Sequence, residues 1–390
     1  MNNTKYDRIL LSHGGGGKET SELIGSIIFN GLYGQKGIDA DKYDKYGFSS
    51  SDRHKDVCYA QNISGQKIKL LEDAAVLKSP QNIAFTTDCF TVKPIFFKGG
   101  DIGKLSVAGT VNDLSVMGAK PLFLSLGFII EEGFFLADLE KIIKSISDES
   151  AKTGVMVVTG DTKVVPAGKA DGIFINTSGI GEIIYDGLSV FNIAPGDIII
   201  VSGNVGDHGA AVMSRREGIE MDVEIESDCA SLWDMIDSVL KSVTGISAIR
   251  DATRGGLAAV LNEWAIAAEA DIYAEENKIP VNDAVKGFCE LLGFEPYQLA
   301  CEGMAVFAVK PEFAEEALNV IKSHSLGKNA SIIGTVVGNN NFAGGKDEAR
   351  QTKVNAGSIR QSAGKVILKG IYGVNRLLDY PSGELLPRIC

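Results

Sequence analysis

The sequence predicts a protein of mixed α and β structure, with two compact domains and an extended arm at its end. Its 390 residues exceed the size at which a single hydrophobic core keeps growing. Apolar runs alternate with amphipathic stretches along the chain, which is typical of mixed α and β structure. Beyond Gly338 the composition turns polar, and the final segment shows no periodicity. These observations favour an enzyme-sized fold with an accessory tail.

The first half carries strand and helix signals in regular succession. Glycines at positions 118 and 154 end two helical patterns, as expected of residues just beyond a helix C-terminus. Two strands are predicted to end on aspartates, at Asp88 and Asp161. In order, the predicted elements are strand 82–88, helix 104–117, helix 136–153, strand 155–161 and a strand around 173–184.

A second unit begins near Pro195 and Gly196, which interrupt the pattern. The polar stretch that follows Gly338 is predicted to contain one short strand, 365–370. We expect the segment 373–390 to be extended, and at about 3.3 Å per residue it reaches on the order of 50 Å. The second unit is predicted to contain strand 197–202, helix 209–217, a long helical section 230–270, strand 303–309, helix 312–324 and strand 331–337.

Charge and composition exclude several classes of partner. A net charge of -12 argues against nucleic acid or an anionic membrane, because both need a basic surface. No apolar run approaches the roughly 20 residues that a membrane span requires, and the segment 1–7 contains no signal-peptide core. The six cysteines are scattered without a C-x-x-C pair, which fits reduced thiols. We therefore expect a cytoplasmic protein.

Aspartates at special places indicate a magnesium site. Asp73 lies in a Glu-Asp-Ala-Ala run, Asp88 and Asp161 end predicted strands, and Asp113 follows Asn112 inside an apolar helix. Carboxylate oxygens without nearby His or Cys suit Mg²⁺, which binds through a few carboxylates plus phosphates. A strand-end aspartate could instead only cap the following turn. The Asn112-Asp113 pair is harder to explain in that way, since both are poor helix formers among apolar residues.

A glycine run near the start predicts a flap over phosphate groups. Glycine lets backbone amides approach a phosphate closely, and the adjacent lysine adds positive charge. The spacing is not that of a Walker A loop, because Ser12 and Glu19 occupy its diagnostic positions. A flexible linker is the alternative interpretation. The predicted flap consists of His13, Gly14, Gly15, Gly16, Gly17 and Lys18.

Two later glycine-rich turns could also bind phosphate. The segment 203–209 joins a strand to a helix, but its signal is weak, and His208 is as readily a turn residue as a catalytic one. At the start of another helix, Asp251, Thr253 and Arg254 precede two glycines. The cation and the exposed amides suit phosphate, whereas capping of the helix by Thr253 or Asp251 is the alternative.

Glu302 and Cys390 are the candidates for chemistry. Glu302 precedes an apolar strand, where it could act as a general base with a raised pKa or be a solvated residue. Cys390 is the last residue of the sequence and follows Pro387, Arg388 and Ile389. A functionless chain-end cysteine is the alternative, but an exposed thiol is an oxidation risk, which disfavours it.

Taken together and in order, these motifs resemble those of the HypE family of hydrogenase maturation factors, over nearly the whole chain. The N-terminal motifs are shared with a wider superfamily of ATP-dependent synthetases, which includes aminoimidazole ribonucleotide synthetase, thiamine monophosphate kinase and selenophosphate synthetase. The terminal Pro-Arg-Ile-Cys narrows the resemblance to HypE. The motifs are HGGGGK, EDAAV, TTDCFTVKPIFFKGGDIG, AGTVNDLSVMGAKP, GDTKVV, SGNVGDHG, DATRGGL and PRIC.

The resemblance implies a PurM-like architecture that combines α/β and α+β domains. It implies an N-terminal ATP-binding domain that dimerises through its sheet (1–190), a C-terminal domain (191–345), and a hairpin with a flexible tail (346–390). It also implies a reaction with ATP and Mg²⁺. A carbamoyl group that the carbamoyltransferase HypF places on Cys390 is dehydrated to a thiocyanate, and the cyanide passes to iron on a HypC–HypD scaffold for [NiFe]-hydrogenase maturation.

The resemblance also implies roles for single residues. Cys390 would carry the group, Glu302 would be the base, and Lys18 with the flap would cover the nucleotide. The implied metal and ATP set is Asp73, Asp88, Asn112, Asp113 and Asp161. The implied phosphate contacts are Asp251, Thr253 and Arg254.

Two rival functions fit parts of the sequence. A synthetase of the selenophosphate or aminoimidazole ribonucleotide type would act on a small molecule and make the tail irrelevant. A nucleotide-gated scaffold would use ATP only to order the arm for docking. The reaction that the resemblance implies agrees with the residues, because an S-carbamoyl oxygen must be phosphorylated before it can leave, and phosphoryl transfer needs mainly positioning and charge neutralisation.

Overall fold

The strands of this computed structural model are divided between two main sheets, one in each half of the chain. The structure describes residues 7–14, 20, 23–33, 59–61, 67–69, 82–216, 225–338, 364–370, 373–382 and 388–390. Within these ranges no helix combines the length and the apolar character of a membrane span.

The strands are β1 (Tyr59–Gln61), β2 (Lys67–Lys69), β3 (Ile83–Phe90), β4 (Phe96–Phe97), β5 (Gly100–Asp101), β6 (Ala119–Glu131), β7 (Met156–Val165), β8 (Ile173–Ile183), β9 (Ile198–Val201), β10 (Ile246–Asp251), β11 (Asp271–Glu275), β12 (Ala305–Val309), β13 (Ser331–Val337), β14 (Val366–Lys369) and β15 (Asn375–Leu377). The α-helices are α1 (Asn30–Tyr33), α2 (Ile102–Val116), α3 (Leu136–Thr153), α4 (Asp207–Arg216), α5 (Trp233–Ser242), α6 (Gly256–Ala267), α7 (Asp283–Leu292) and α8 (Ala314–Ser323).

The N-terminal sheet has four strands in the order β3-β8-β6-β7. Only β6 and β7 run parallel to each other. Helices α2 and α3 cover one face of the sheet, where α3 buries Leu139, Ile142 and Ile146. The other face is open and carries exposed apolar side chains, among them Phe85, which is 66% exposed.

Helix α2 lies between the two halves of the molecule. The side chain of Asp101 begins it by accepting hydrogen bonds from the backbone amides of Gly103 and Lys104, at 2.7 and 3.0 Å. The helix then contacts β3 and β8 of the first sheet on one side and β10 of the second sheet on another. It is apolar nearly all round, as expected of a helix that is buried on several sides. Its buried polar residues, among them Thr110, Asn112 and Ser115, therefore face protein.

The C-terminal sheet has seven strands in the order β10-β12-β9-β13-β11-β14-β15. Strand β12, next to the edge strand β10, is buried at every position, and Trp264 of α6 is 1% exposed in the core of this half. Strand β14 pairs in parallel with β11, and β15 then forms a hairpin with β14. Much of the expected hairpin is thus an extension of the C-terminal sheet.

Most predicted elements are present, but three expectations were wrong. The predicted helical section 230–270 contains strand β10, because ISAIRD pairs with β12. Strands β3 and β7 continue past Asp88 and Asp161, so neither aspartate is at a strand end. The long strand β6, together with β11 and α7, was not predicted.

Candidate active site

A cleft of about 440 Å³ separates the two halves of the chain. On the N-terminal side it is lined by residues 84–86 of β3 and by α2 from Asp113 to Met117. On the C-terminal side it is lined by residues 188–190 and by β10 with Thr253. Apolar and carboxylate side chains share its walls, which suits a ligand with an apolar ring and a charged end.

Three of the predicted aspartates lie close together at this cleft. Burial, and then the charge of Asp113, raise the pKa of Asp88 to about 6 and that of Asp251 to about 7. The pKa of Asp113 is also raised by burial, although it accepts a 2.7 Å hydrogen bond from the Thr86 hydroxyl. Carboxylates that repel one another in this way are a favourable place for a cation.

Glu302 lies beside this group and is 2% exposed. Burial and then the charges of Asp251 and Asp228 raise its pKa well above the ordinary value. Its Oε1 atom has no hydrogen-bond partner in the structure. A buried, unpaired carboxyl group of this kind is a typical feature of a functional site.

The turn before α6 brings Arg254 to the same place. Arg254 lowers the pKa of Asp88, so its charge acts at the carboxylate group. Gly255 and Gly256 both have positive φ, at 77° and 59°. A Cβ atom on Gly256 would lie 2.3 Å from the main-chain oxygen of Leu299, so only glycine fits there. Residue 255 is the N-cap of α6 and no side chain caps the helix, so the capping interpretation of Asp251 and Thr253 was wrong.

Cys390 is partly buried at the same site. Burial, and then the charge of Glu302, raise the pKa of its thiol to about 12, while Arg254 lowers it. Its main-chain oxygen accepts hydrogen bonds from the amide and the hydroxyl of Thr91, at 3.0 and 3.1 Å. The end of the tail is therefore inside the site, next to the candidate base and the candidate phosphate contact.

Asn112 has a different environment from the one expected of a nucleotide ligand. Its side-chain amide donates to the main-chain oxygens of Ala230 and Glu302, at 3.1 and 3.2 Å. Its carbonyl oxygen accepts from the amide of Leu232 at 2.8 Å. The side chain is fully buried, so it joins the two halves of the molecule and has no free face for a ligand.

Asp161 and Asp88 of the same chain do not lie close together, although both were predicted to belong to one metal site. Cross-strand partners share a face of a sheet, and the row Asp161–Gly127–Asn176–Cys89 lies on the open face. Asp88 points to the opposite, helix-covered face. The two aspartates are also on opposite edge strands, three spacings of about 4.8 Å apart. Asp161 is instead exposed and forms an ion pair with Lys163 at 2.8 Å.

His13 is placed near the Asp161 edge of the sheet. It lies in a short 3₁₀ helix, Leu11–Gly14, that contacts β7, and its Nδ1 atom accepts a 3.0 Å hydrogen bond from the amide of Leu10. Several predicted site residues lie outside the described part of the chain, and their roles stay predictions. These are Asp73, Gly15, Gly16, Gly17 and Lys18; for Gly14 only the backbone is described.

Three residues of the site were not predicted as site residues. Asp228 accepts hydrogen bonds from the amides of Glu302 and Gly303, both at 3.0 Å, and holds the loop of the candidate base. It lies in an irregular stretch that gives no signal in the sequence. Thr91 binds the tail, and its place just beyond a strand is equally uninformative. His208 was considered only as a turn or catalytic residue, yet it contacts the tail through the main-chain oxygen of Ile389.

Comparisons with known proteins agree with this architecture. The family model for the AIR synthase related protein, N-terminal domain, matches residues 71–183, and the model for its C-terminal domain matches residues 194–346. The carbamoyl dehydratase HypE of Escherichia coli (strain K12) is 38% identical over 387 residues, which cover 98% of this chain and 100% of that protein.

Solved structures are similar over comparable lengths. A crystal structure of the hydrogenase maturation protein HypE in complex with ATP has a TM-score of 0.82 at 37% identity, covering 98% of this chain and 99% of that chain. A crystal structure of a HypE–HypF complex has a TM-score of 0.69 at 47% identity, covering 80% and 93%. The chain therefore belongs to the HypE carbamoyl dehydratase family, within the PurM-like, AIR synthase-related proteins.

Proposed function

We propose that this protein is an ATP-dependent carbamoyl dehydratase whose substrate is an S-carbamoyl group on its own Cys390. The product is a thiocyanate that supplies the cyanide ligand of the [NiFe]-hydrogenase iron site. The observation that carries the proposal is the position of Cys390, which lies beside Glu302 and Arg254 of the C-terminal half and is bound by Thr91 of the N-terminal half. A tail whose last residue is held there fits a substrate carried by the protein itself.

ATP is the second substrate in this proposal. The related HypE that was crystallised with ATP resembles this chain over nearly its whole length. The cleft of about 440 Å³ has a volume suited to a nucleotide. Thr253 and Arg254 follow β10 at its edge, where a hydroxyl group and a guanidinium group suit phosphate oxygens.

The donor set fits magnesium only together with phosphate. No group of three or more His, Cys, Asp and Glu side chains among the described residues could hold a metal ion by itself. Asp88, Asp113 and Asp251 nonetheless form a cluster whose raised pKa values reflect burial and mutual repulsion. These residues would hold Mg²⁺ with nucleotide oxygens as further ligands. Magnesium would supply neutralisation of the phosphate charge.

The reaction needs two N–H protons to be removed. Transfer of the γ-phosphoryl group to the carbamoyl oxygen forms an O–P bond and releases ADP, while the nitrogen loses its first proton and a C=N bond forms. The C–O bond then breaks, the second proton leaves with the phosphate as HPO₄²⁻, and S–C≡N remains. One proton is therefore released to the protein or to water in each turnover.

Glu302 is suited to accept that proton. Its burial and its acidic neighbours make the carboxylate a strong base once it is deprotonated. The hydrogen bond from the Asn112 amide to the main-chain oxygen of Glu302, and the one from the Glu302 amide to the Asp228 carboxylate, fix the loop on which it lies. Both protein halves thus position the residue that would contact the carbamoyl nitrogen.

The proposal includes three partners. A HypE–HypF complex is known for a relative that is 47% identical to this chain, which supports HypF as the source of the carbamoyl group. The HypC–HypD scaffold would receive the cyanide. We place these encounters in the cytoplasm, where scattered cysteines stay reduced.

A second copy of this chain would pack against the open face of the N-terminal sheet. That face carries Ile83, Phe85 and Ile129, which are 47%, 66% and 46% exposed. Asp161 lies on the same face, and the turn of His13 lies against the strand that carries it. Packing of two such faces would bring these residues of one copy toward the carboxylate cluster of the other, which would complete the nucleotide site.

Mass spectrometry of the C-terminal peptide tests the function. The full chain is incubated with a carbamoyltransferase, carbamoyl phosphate and ATP. We expect carbamoylated Cys390 to lose the mass of one water as ATP is hydrolysed. An unchanged adduct with intact ATP would indicate a nucleotide-gated scaffold. Full turnover by a variant that lacks residues 388–390 would indicate a small-molecule synthetase.

A further inference from the structure

The last three residues of the chain pair with a segment of the N-terminal half. The amide of Thr91 donates to the oxygen of Cys390 at 3.0 Å, and the amide of Lys93 donates to the oxygen of Arg388 at 3.1 Å. The guanidinium group of Arg216 donates a further 2.7 Å hydrogen bond to the oxygen of Arg388. The tail is bound here as an added strand would be, through its main chain.

His208 binds the main-chain carbonyl group of Ile389, which lies between those of Arg388 and Cys390. Its Nε2 atom lies 2.7 Å from the oxygen of Ile389, which can only accept, so Nε2 carries the hydrogen. The Ser227 hydroxyl accepts from the amide of Cys229 and can donate to Nδ1 of His208, at 2.8 Å. His208 is fully buried, and burial lowers its pKa to about 4, so the ring stays neutral. The ring is thus fixed as a donor to the tail.

Side chains of the tail add sequence recognition. The Arg388 guanidinium group forms an ion pair with Asp171 at 2.5 Å and donates from Nε to the oxygen of Thr91 at 2.8 Å. It also lies over the ring of Phe174, 5.4 Å from its centre. Ile389 is 3% exposed and belongs to a buried core cluster that includes residues of both halves of the chain. The site therefore recognises one charged side chain, Arg388, and one apolar side chain, Ile389, at adjacent positions.

We propose that these residues form a peptide-binding site for the sequence Arg-Ile-Cys that also binds such a peptide when it is not covalently attached. We call the site the tail cradle, and it consists of Thr91, Lys93, Asp171, His208 and Arg216. In the described part of the tail, the recognition contacts are made by residues 388–390, and attachment to the chain contributes a high local concentration. The cradle therefore takes a peptide in trans, including the tail of a second copy.

The inference rests on the proposed function for the role of Cys390, but binding itself needs no turnover. The receptor is the full-length chain with Ile389→Asp, because a carboxylate at that buried position undocks its own tail. The probe is a fluorescently labelled peptide of residues 382–390, and its anisotropy is followed under reducing conditions without ATP. We expect the probe to bind Ile389→Asp at least about tenfold more tightly than the unchanged chain, whose cradle is filled.

Peptide variants keep the test independent of receptor folding. Replacing Ile389 by Ala in the peptide should weaken binding by about tenfold or more, because most of the buried side chain is lost. Replacing Arg388 by Ala should weaken it by about threefold, since the pair with Asp171 is largely exposed. A scrambled peptide of the same composition should not bind.

Receptor variants then locate the site. Thr91→Val and Asp171→Asn, each added to Ile389→Asp, should weaken binding by about threefold. The matched control is Asp148→Asn, which removes an exposed aspartate that pairs with Lys144 along α3. Equal binding of native and scrambled peptides, or equal binding by both receptors, would overturn the cradle. Binding without thiocyanate formation from a carbamoylated peptide would leave the cradle intact and count against the proposed function.

Discussion

The side-chain amide of Asn112 donates a 3.2 Å hydrogen bond to the main-chain oxygen of Glu302, so helix α2 of the N-terminal half positions the loop that carries the candidate base. Two further hydrogen bonds, to Ala230 and Leu232, use the rest of the amide. All three partners are backbone groups of the C-terminal half. A single buried side chain therefore links the two walls of the site.

Replacing Asn112 by Ala should destabilise the protein by about 3 kcal/mol, because three hydrogen bonds of a buried side chain are lost. Urea unfolding followed by fluorescence measures the change. Ser115→Ala is the matched control on the same helix, since the Ser115 hydroxyl donates to the main-chain oxygen of Val111 one turn earlier, and it should cost about 1 kcal/mol or less.

A nucleotide-binding role for Asn112 makes the opposite prediction. An Asn112→Ala protein with unchanged urea midpoint and weakened ATP affinity would show that the side chain contacts the nucleotide. Unchanged ATP affinity at a lowered midpoint fits the structural link.

Local signals predicted the helices of the first half well. Gly118 and Gly154 end α2 and α3 because both residues adopt positive φ, and this requirement can be read from sequence. The long helical section was mispredicted because β10 lies between two helices and is defined by its pairing with β12, a long-range contact. Pairing of this kind leaves little trace in a short window.

The site was predictable only where the chemistry is carried by residue type. Aspartates and glycines in unusual places signalled the carboxylate cluster and the turn before α6. The face on which an aspartate lies depends on the register of its strand. A shift of β3 by one residue would move Asp88 from the helix-covered face to the open face, which carries Asp161. The contacts of Asn112 and Thr91 arise only when distant segments meet, so the sequence held no sign of them.

Two inactive variants should restore activity when mixed, if a second copy completes the site. We expect Asp88→Asn to reduce ATP hydrolysis at least about 100-fold, because a carboxylate of the cluster is lost. Asp161→Asn should do the same through the partner's site. In a one-to-one mixture, half of the dimers combine both variants and contain one intact site, so about a quarter of the activity should return.

The mixing experiment has two informative failures. Normal ATP hydrolysis by Asp161→Asn alone would remove this residue from the nucleotide site. Two inactive variants without recovery after subunit exchange would show that both residues act within one copy, contrary to their separation across the sheet. Sedimentation velocity of each variant provides the control for dimer formation.

The docked thiol of Cys390 should react slowly with iodoacetamide. Alkylation needs the thiolate, and burial with the charge of Glu302 raises the pKa of the docked thiol from 9.0 to about 12. The docked form thus keeps a proton that the free tail loses above pH 9.0, so docking weakens by about tenfold for each pH unit between these values. Below pH 9.0 docking is fully favoured, and above about 12 the loss is complete.

Mass spectrometry after timed alkylation measures this reactivity. The Ile389→Asp chain, with its tail undocked, should react faster and follow a simple titration near pH 9. Cys89 is exposed and has no part in docking, so its alkylation in the same samples controls for the reagent. Equal rates for Cys390 in both proteins below pH 9 would mean that the tail is free in solution.

Glu302→Gln should slow dehydration by about 100-fold or more while leaving ATP affinity within about twofold, because only the proton acceptor is removed. Glutamine keeps the size of the side chain and loses the charge that repels the neighbouring aspartates, so stability should not fall. Single-turnover conversion of carbamoylated Cys390 measures the rate, and calorimetric ATP binding measures the affinity. Glu276→Gln is the control, since Glu276 pairs with Arg376 away from the site.

Because O-phosphorylation and elimination both remove an N–H proton, a variant blocked at the first step should also fail to release ADP. ADP release at the normal rate without thiocyanate would instead assign Glu302 to the second step alone, and weakened ATP binding would make it a nucleotide contact.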